Sequence, residues 1–559
     1  MAAAAERVHL PAHRELFHQG DQADGVAIVL SGRLQVLQHG RPGGVTPEGR
    51  DRVIGVLGRG SWVGELSLLT GAPRSATVRA LRDSDLLVIS PEIFDDLLAD
   101  EPDLGLALAR TVAAQLQQSR GISVVSDAPN TVAIIPLGDQ LPMVRFTEAV
   151  AGALEPYGPV LVHHGDRPGE APAGETDDDR HRRWAHQLDQ MEREAALVVL
   201  VADDPTGRIP WTAFCARSTD RVLAVLRGGR PPSWATADGD VPLAHADLVF
   251  TGSTFTTARM STARDLLEPR AMHRLADGGE FEASAARIAR RVAGRALGVV
   301  LSGGGARGLA HLGVLQVFDE RGVPIDRTGG CSAGAVAAAL LAMGWGVDRM
   351  TEVLREELVE HHPFTDFTVP RESLIRGRRA MAMLTRLFGD TRIEEMAVPF
   401  FAVSADLGSG DLVVHRDGLV REAVAASMAI PGFAPPIHLS GTGASGRSER
   451  LLVDGGLLDN FPIDIMAGFR EGPVIGVDVM RDYPAEGGGP EMRGIVATLA
   501  RSMVLGGWHR AQENREAADL LVSPEVADIG LFDFDRIDDA IAAGRAAATR
   551  ALDEEGLPQ

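Results

Sequence analysis

The run Ser302-Gly303-Gly304-Gly305-Ala306-Arg307-Gly308 limits what this chain can fold into more than any other segment. It follows an apolar stretch, Ala296–Leu301, and precedes a helix-forming one, Leu309–Arg321. A strand, a glycine turn and a helix in succession begin a parallel α/β layer. Consecutive glycines expose backbone N–H groups to an anion without side-chain obstruction. Two anions suit such a turn: a dinucleotide phosphate or the oxyanion of a tetrahedral intermediate. The spacing Gly303-x-Gly305-x-x-Gly308 fits both. A dinucleotide site wants an acid about 20 residues further on, and Asp326 is roughly so placed.

The next element tips the balance. Gly330-Cys331-Ser332-Ala333-Gly334 follows within one strand–helix step and has the form G-x-S-x-G. A serine on a sharp turn projects its hydroxyl outward, and the glycines at 330 and 334 let the backbone pack closely around it. Ala335–Met343 should form the following helix, its positive end aimed at the site. Cys331 is expected to point away from the site. His311 reads as a third catalytic member or as a buried helix residue. The third element is Leu452-Val453-Asp454-Gly455-Gly456, with Asn460-Phe461-Pro462 behind it. Asp454 ends an apolar strand and is placed to reach a cleft, although Asp-Gly is also an ordinary turn pair.

In this order the three elements resemble the patatin-like phospholipase family, marked by G-G-G-x-R-G, G-x-S-x-G and D-G-[AG]. Ala426-Ser427-Met428-Ala429-Ile430-Pro431-Gly432, with Pro435-Pro436 after it, adds to the likeness. So does the tail Asp533–Gly544. The resemblance implies a three-layer α/β/α domain and a serine–aspartate dyad without histidine. It makes Ser332 the nucleophile and Asp454 the general base, with Gly455 and Gly456 completing the acid motif. The turn of Gly303, Gly304, Gly305, Ala306, Arg307 and Gly308 becomes the oxyanion loop. Its N–H donors come from Gly303–Gly305, and Arg307 holds the loop or meets a phosphate.

Ahead of this region, residues 14–100 carry short apolar runs punctuated by glycine, the pattern of an all-β roll. Residues 103–120 read as a helix. Gly64-Glu65-Leu66-Ser67-Leu68-Leu69 and Pro73-Arg74-Ser75-Ala76 resemble the phosphate cassette of cyclic-nucleotide-binding domains. That resemblance gives Arg74 the cyclic phosphate through a charge-assisted fork. Glu65 would take the ribose hydroxyl, and the Glu65–Leu69 turn would supply backbone donors. Ser67 and Ser75 complete the candidate site for cAMP or cGMP. The alternative is a roll that has lost its ligand.

Between the two lies strand–helix alternation: Thr131–Ile135, Val144–Leu154, Val160–His163, Trp184–Glu194, Leu197–Val201, Arg221–Leu226 and Ala246–Thr251. It predicts a second parallel sheet. Stretches 165–180, 229–241, 441–450 and 484–491 read as loops. Asp203 and Asp204 are read as a solvated loop rather than a metal site. The fold class is thus a multidomain α/β-plus-β chain. Residues 1–125 form the nucleotide-binding roll, 126–290 the intermediary α/β domain and 291–559 the patatin-like domain. The order looks like that of neuropathy target esterase and its bacterial relatives.

Composition narrows the function. The formal net charge of −22 opposes nucleic-acid binding, which relies on Lys and Arg. Only Cys215 and Cys331 are present, so no disulfide framework is expected. No signal peptide and no apolar run of about 18 residues is found. The expected location is cytoplasmic, with peripheral membrane contact. Basic amphipathic stretches at Arg287–Arg295 and Arg376–Phe388 are candidate lipid contacts. The resemblance to the patatin-like family implies acyl-ester hydrolysis of phospholipid or lysophospholipid, with no metal and no catalytic cofactor expected. Two alternatives stand. An α/β-hydrolase would need a histidine after the acid, and only His509 follows Asp454. A non-catalytic nucleotide sensor would need a basic recognition helix after the roll.

Overall fold

The computed structural model describes residues 5–38, 52–100, 129–166, 174–207, 209–227, 230–236, 241, 243–252, 257–370, 372–443, 446–481 and 505–558. They divide into two compact units, Met1–Gly294 and Arg295–Gln559. The predicted helix at 103–120 and the predicted loop at 484–491 lie outside the described residues.

The first unit opens with β1 (Glu6–Leu10), β2 (Glu15–Phe17), β3 (Val26–Ser31), β4 (Leu34–Gln38), β5 (Arg52–Leu57), β6 (Trp62–Val63), β7 (Thr77–Ala80) and β8 (Ser84–Ile89). They pair antiparallel in two four-stranded sheets, β1-β8-β3-β6 and β2-β7-β4-β5. Inward-facing Val29, Leu34, Val63, Val78 and Leu86 make the core of this roll.

A parallel sheet follows, of β9 (Thr131–Pro136), β10 (Val160–His163), β11 (Leu197–Val201), β12 (Arg221–Leu226), β13 (Asp247–Thr251) and β14 (Ala271–Leu275). Its order is β10-β11-β9-β12-β13-β14. Helices cover both faces. Val132 and Ile134 pack toward helices Met143–Leu154 and Phe281–Val292. Ala133 and Ile135 pack toward Asp177–Glu194 and Pro210–Ser218. Burial on both faces explains why these strands read as continuous apolar runs. β14 escaped the sequence reading because His273 and Arg274 break its apolar pattern. Roll and sheet meet at Asp220, which takes Arg33 at 2.8 Å and Arg82 at 3.4 Å. Arg82 also bonds Glu192 at 2.8 Å.

The second unit holds an eight-stranded sheet. Its strands are β15 (Gly298–Leu301), β16 (Arg327–Gly330), β17 (Phe400–Asp406), β18 (Leu412–His415), β19 (Ile437–Gly443), β20 (Gly446–Asp454), β21 (Val474–Val477) and β22 (Leu520–Val522). The order is β19-β20-β17-β16-β15-β21-β22, with β18 on β17. The loop expected at 441–450 is instead the arms of the β19–β20 hairpin, with Gly443 opposite Gly446. Strand pairing here overrides the turn-forming composition.

Helix Ala310–Glu320 lies against the C-terminal helix Ile537–Glu554. Glycines set the distance: a Cβ on Gly313 would stand 2.0 Å from the Ile541 carbonyl oxygen, and one on Gly544 would stand 2.0 Å from that of Ala310. Gly313→Ala should therefore lower the thermal midpoint by roughly 5 °C in calorimetry, the helices being forced apart. Gly346→Ala, in open space, should leave the midpoint close to the wild-type value.

Candidate active site

Strand register gathers the site. Parallel β15 and β16 place Leu301 opposite Gly330, so the glycine turn and the serine elbow leave the same edge side by side. β16 pairs with β17, and β17 pairs with antiparallel β20, setting Ser404 opposite Asp454. Asp454 thus arrives at the carboxyl edge of the parallel strands, the usual crevice of α/β sheets.

The Ser332 hydroxyl donates to Asp454 Oδ2 at 2.8 Å. The other carboxylate oxygen accepts the Gly456 N–H at 2.8 Å and the Cys331 thiol at 3.6 Å. Asp454 is buried, and desolvation raises its carboxyl to about 6 against the pull of these donors. Ser332 itself sits at φ 52°, ψ −121°, a strained geometry for a residue with a side chain. Its surroundings hold it there. Its N–H donates to Ser427 Oγ at 2.9 Å. Gly330 and Gly334 allow the close approach, because a Cβ on Gly334 would stand 2.1 Å from the Leu301 carbonyl oxygen.

The structure narrows the expected oxyanion loop. Gly303 N–H donates to Asn460 O, Ala306 N–H to Leu531 O and Arg307 N–H to Gly304 O. Those three donors are committed, so the expected role for Gly303, Ala306 and Arg307 is corrected. Gly304 and Gly305 line the cavity, and among the described residues their N–H groups meet no acceptor. Ala333 opens the helix Ala333–Ala342 beside them, and its N–H is an orphan of that first turn. Gly308 serves packing, a Cβ there standing 2.6 Å from that of Ala333. The two roles open for Arg307 resolve to one: its guanidinium is buried and donates to Ile529 O at 2.6 Å and Ala527 O at 2.8 Å. It clamps the glycine turn to the C-terminal segment and does not face a phosphate.

The structure also places the remaining sequence candidates. Asp326 is buried and accepts the Leu297 N–H at 3.1 Å, so it is no ribose ligand. His311 is fully buried and bonds the Ser302 carbonyl at 2.9 Å. Burial holds its ring pKa down at about 4, so it is a structural residue. Cys331 points away from the cavity into the core, as expected, and from that buried side its thiol touches Asp454. Burial, then the nearby carboxylate, raises its thiol pKa, which keeps it a neutral donor. Asp204 caps Thr206 and Ile209 N–H groups, and no metal-ligating cluster exists among the described residues.

Above the Ser332 hydroxyl lies a cavity of about 160 Å³. Its walls are apolar, with Val336, Leu354, Leu358, Met383, Leu384 and Phe433 among them. The apolar side of helix Arg378–Phe388 is therefore buried, so this helix is not itself a surface amphipath. The same holds for Phe281–Val292, whose apolar stripe packs on the parallel sheet.

The Patatin-like phospholipase family model matches residues 299–467, and the Cyclic nucleotide-binding domain model matches residues 7–101. An NTE family protein of Mycobacterium tuberculosis (strain CDC 1551 / Oshkosh) is 35% identical over 584 residues, covering 99% of this chain and 93% of that protein. The chain belongs to the NTE family. Patatin-like phospholipase domain-containing protein 6 of Homo sapiens is 30% identical over 528 residues, 84% of this chain and 37% of the human protein. Among solved structures, the regulatory domain of Toxoplasma gondii PKA with cAMP is 32% identical over 17% of this chain and 33% of that chain, with a TM-score of 0.15.

In this NTE family member the nucleotide cassette is folded but inward-facing. Gly64, at φ 85°, leads into the short helix Glu65–Thr70. Glu65 and Ser67 are buried, Leu66 is half-buried and Ser75 is exposed. Arg74 does not present a free fork as the sequence suggested. Its guanidinium donates to Gly64 O at 3.0 Å, Gly25 O at 2.8 Å and Asp24 Oδ1 at 3.0 Å, and lies over the Phe17 ring. Asp24 is the solvent-facing partner of the three, with 90% of its side chain exposed.

Sequence reasoning missed Ser427, Asn460 and the 527–531 segment as parts of the site. Ser427 and Asn460 stood inside quoted motifs, but nothing in a linear pattern says which polar group faces which. Asn460 Nδ2 bonds Gly303 O at 3.0 Å. The raised carboxyl of Asp454 gives a sign for stability. Its folded-state pKa lies above its unfolded value, so wild type loses stability as pH rises from about 4 to about 6. Asp454→Asn escapes that loss. It should unfold later than wild type at pH 7, by about 3 kcal/mol, and with little difference near pH 4. Denaturant titrations at the two pH values read this directly.

Proposed function

We propose that this chain is a serine-dependent lipid acyl hydrolase working through a Ser332–Asp454 dyad. The observation that carries the reading is the 2.8 Å hydroxyl–carboxylate bond at the floor of an apolar cavity. Ser332 Oγ attacks the ester carbonyl while Asp454 Oδ2 takes its proton. Charge developing on the carbonyl oxygen falls to the N–H groups of Gly304, Gly305 and Ala333. Asp454 then protonates the departing alcohol, leaving an acyl group on Ser332. Water, deprotonated by the same carboxylate, releases the acid. A carboxylate near its ordinary pKa would be a poor base, and burial makes it a better one. The cavity suits one acyl chain, which favours lysophospholipid and other single-chain esters. A triad is disfavoured, since His311 is buried behind the turn and His509 is exposed in the first turn of helix Trp508–Glu516.

Hydrolysis of lysophosphatidylcholine is the test. Ser332→Ala and Asp454→Asn should each lose about 10³-fold or more in kcat, and the double variant should be no worse than either. Full activity in Ser332→Ala would discard the mechanism. The base must be ionised, so kcat/KM should rise with pH and level off above about 6. A profile flat down to pH 4 would remove Asp454 as the base. Leu384→Trp, which fills the cavity, should cut kcat/KM for long-chain esters at least about tenfold more than for butyrate esters.

The roll is proposed to bind cAMP or cGMP, with the phosphate displacing Asp24 from Arg74. Its presence as a Cyclic nucleotide-binding domain supports this. Isothermal titration should give a Kd that Arg74→Ala weakens by at least about tenfold. Regulation of the esterase would follow only if nucleotide favours one of two states.

A further inference from the structure

The cavity is framed on one side by two short arms, residues 363–370 and 372–377. Thr368 N–H donates to Leu374 O at 2.9 Å and Arg376 N–H to Asp366 O at 3.0 Å. Phe367 and Ile375 form an isolated antiparallel bridge. The returning arm is pinned below, through Leu374 N–H to Gly432 O and Ile375 N–H to Phe433 O, both at 3.0 Å. Ile375 is buried and lines the cavity.

The outgoing arm does the opposite. Phe367 is 65% exposed and Val369 78% exposed. Phe532, 39% exposed, lines the same cavity and packs on Phe433 at 4.7 Å between ring centroids. One exposed apolar residue needs no explanation. Two bulky ones on an arm bridged to the cavity-lining Ile375, with a third on the cavity wall itself, mark an interaction surface.

The charge beside them points to the partner. Arg376, Arg378 and Arg379 are exposed, and none pairs with a carboxylate side chain among the described residues. Arg379 bonds Thr365 Oγ1. Asp366 is committed to the helix start, where its Oδ2 accepts the N–H groups of Arg378 and Arg379. Glu372 is the exposed acid on this arm. A cluster of unpaired arginines is notable in a chain of net charge −22. Apolar side chains to enter an interface, with cations to meet its headgroups, are the two parts of an interfacial lipid contact.

We propose that Phe367, Val369 and Phe532, with Arg376, Arg378 and Arg379, dock the second unit on an anionic lipid surface and open the cavity toward it. The proposal rests on the hydrolase reading for its purpose but not for its test. The full chain is floated with vesicles of phosphatidylcholine alone and of phosphatidylcholine mixed with phosphatidylglycerol. Wild type should float with the mixed vesicles and much less with the neutral ones, and Ser332→Ala should float as wild type does. The double variant Phe367→Asp/Val369→Asp should weaken vesicle binding at least about tenfold. Replacing the three arginines by glutamine should abolish the preference for anionic vesicles, each contributing roughly fivefold.

Hydrolysis of a water-soluble butyrate ester should stay unchanged in both docking variants, which shows that their site is intact. If wild type cleaves the soluble ester yet floats with neither vesicle, docking is overturned and the hydrolase stands. If wild type floats but cleaves nothing, the converse holds. Docking variants that float as wild type does would overturn the proposal. So would a wild-type dimer that Phe367→Asp/Val369→Asp turns into monomer, since a second copy would then be the occupant.

Discussion

The candidate active site depends on one carboxylate held away from water. Asp454 is fixed by the Gly456 N–H and the Cys331 thiol on one oxygen, which leaves the other for the Ser332 hydroxyl. In water such a carboxylate would be too weak a base to matter. Burial makes its charged form costly and so raises its affinity for a proton. The same burial lowers the stability of the fold at neutral pH, a common cost of functional sites.

Everything around the Ser332–Asp454 pair keeps it from relaxing. Ser332 stays at positive φ because its N–H is bonded to Ser427 and its flanking glycines let neighbouring carbonyls close in. The glycine turn stays open toward the cavity because Arg307 and Ala306 tie it to the C-terminal segment. That segment in turn is anchored by the helix Ile537–Glu554, which packs through Gly544 on the helix following the turn. Site geometry and the packing of the second unit are therefore one problem.

The first unit follows another logic. Its roll and parallel sheet share the buried ion cluster of Arg33, Arg82, Asp220 and Glu192. Removing one partner from such a cluster leaves an uncompensated buried charge, so the joint should be stiff. At the nucleotide cassette the opposite holds, because Arg74 is bonded in part to an exposed side chain, Asp24. A ligand anion bound there, as proposed, would compete with a weak, solvated partner.

By itself the sequence determined many of the elements and the candidate reacting groups. Periodicity placed five of the six strands of the first unit's parallel sheet, since strands buried on two faces need unbroken apolar runs, whereas in the second unit it marked only the strands before the glycine turn and before Asp454. Three glycine-bearing motifs named Ser332, Asp454 and the turn. Only the tertiary structure decided which groups face each other. It committed the Gly303 and Ala306 donors, turned Arg307 toward carbonyls, brought Cys331 onto Asp454 and paired 441–443 with 446–448 as hairpin arms. These are contacts between residues distant in the chain, set by strand register and helix packing. A motif fixes local backbone shape, but where a donor points depends on what the rest of the chain puts in front of it.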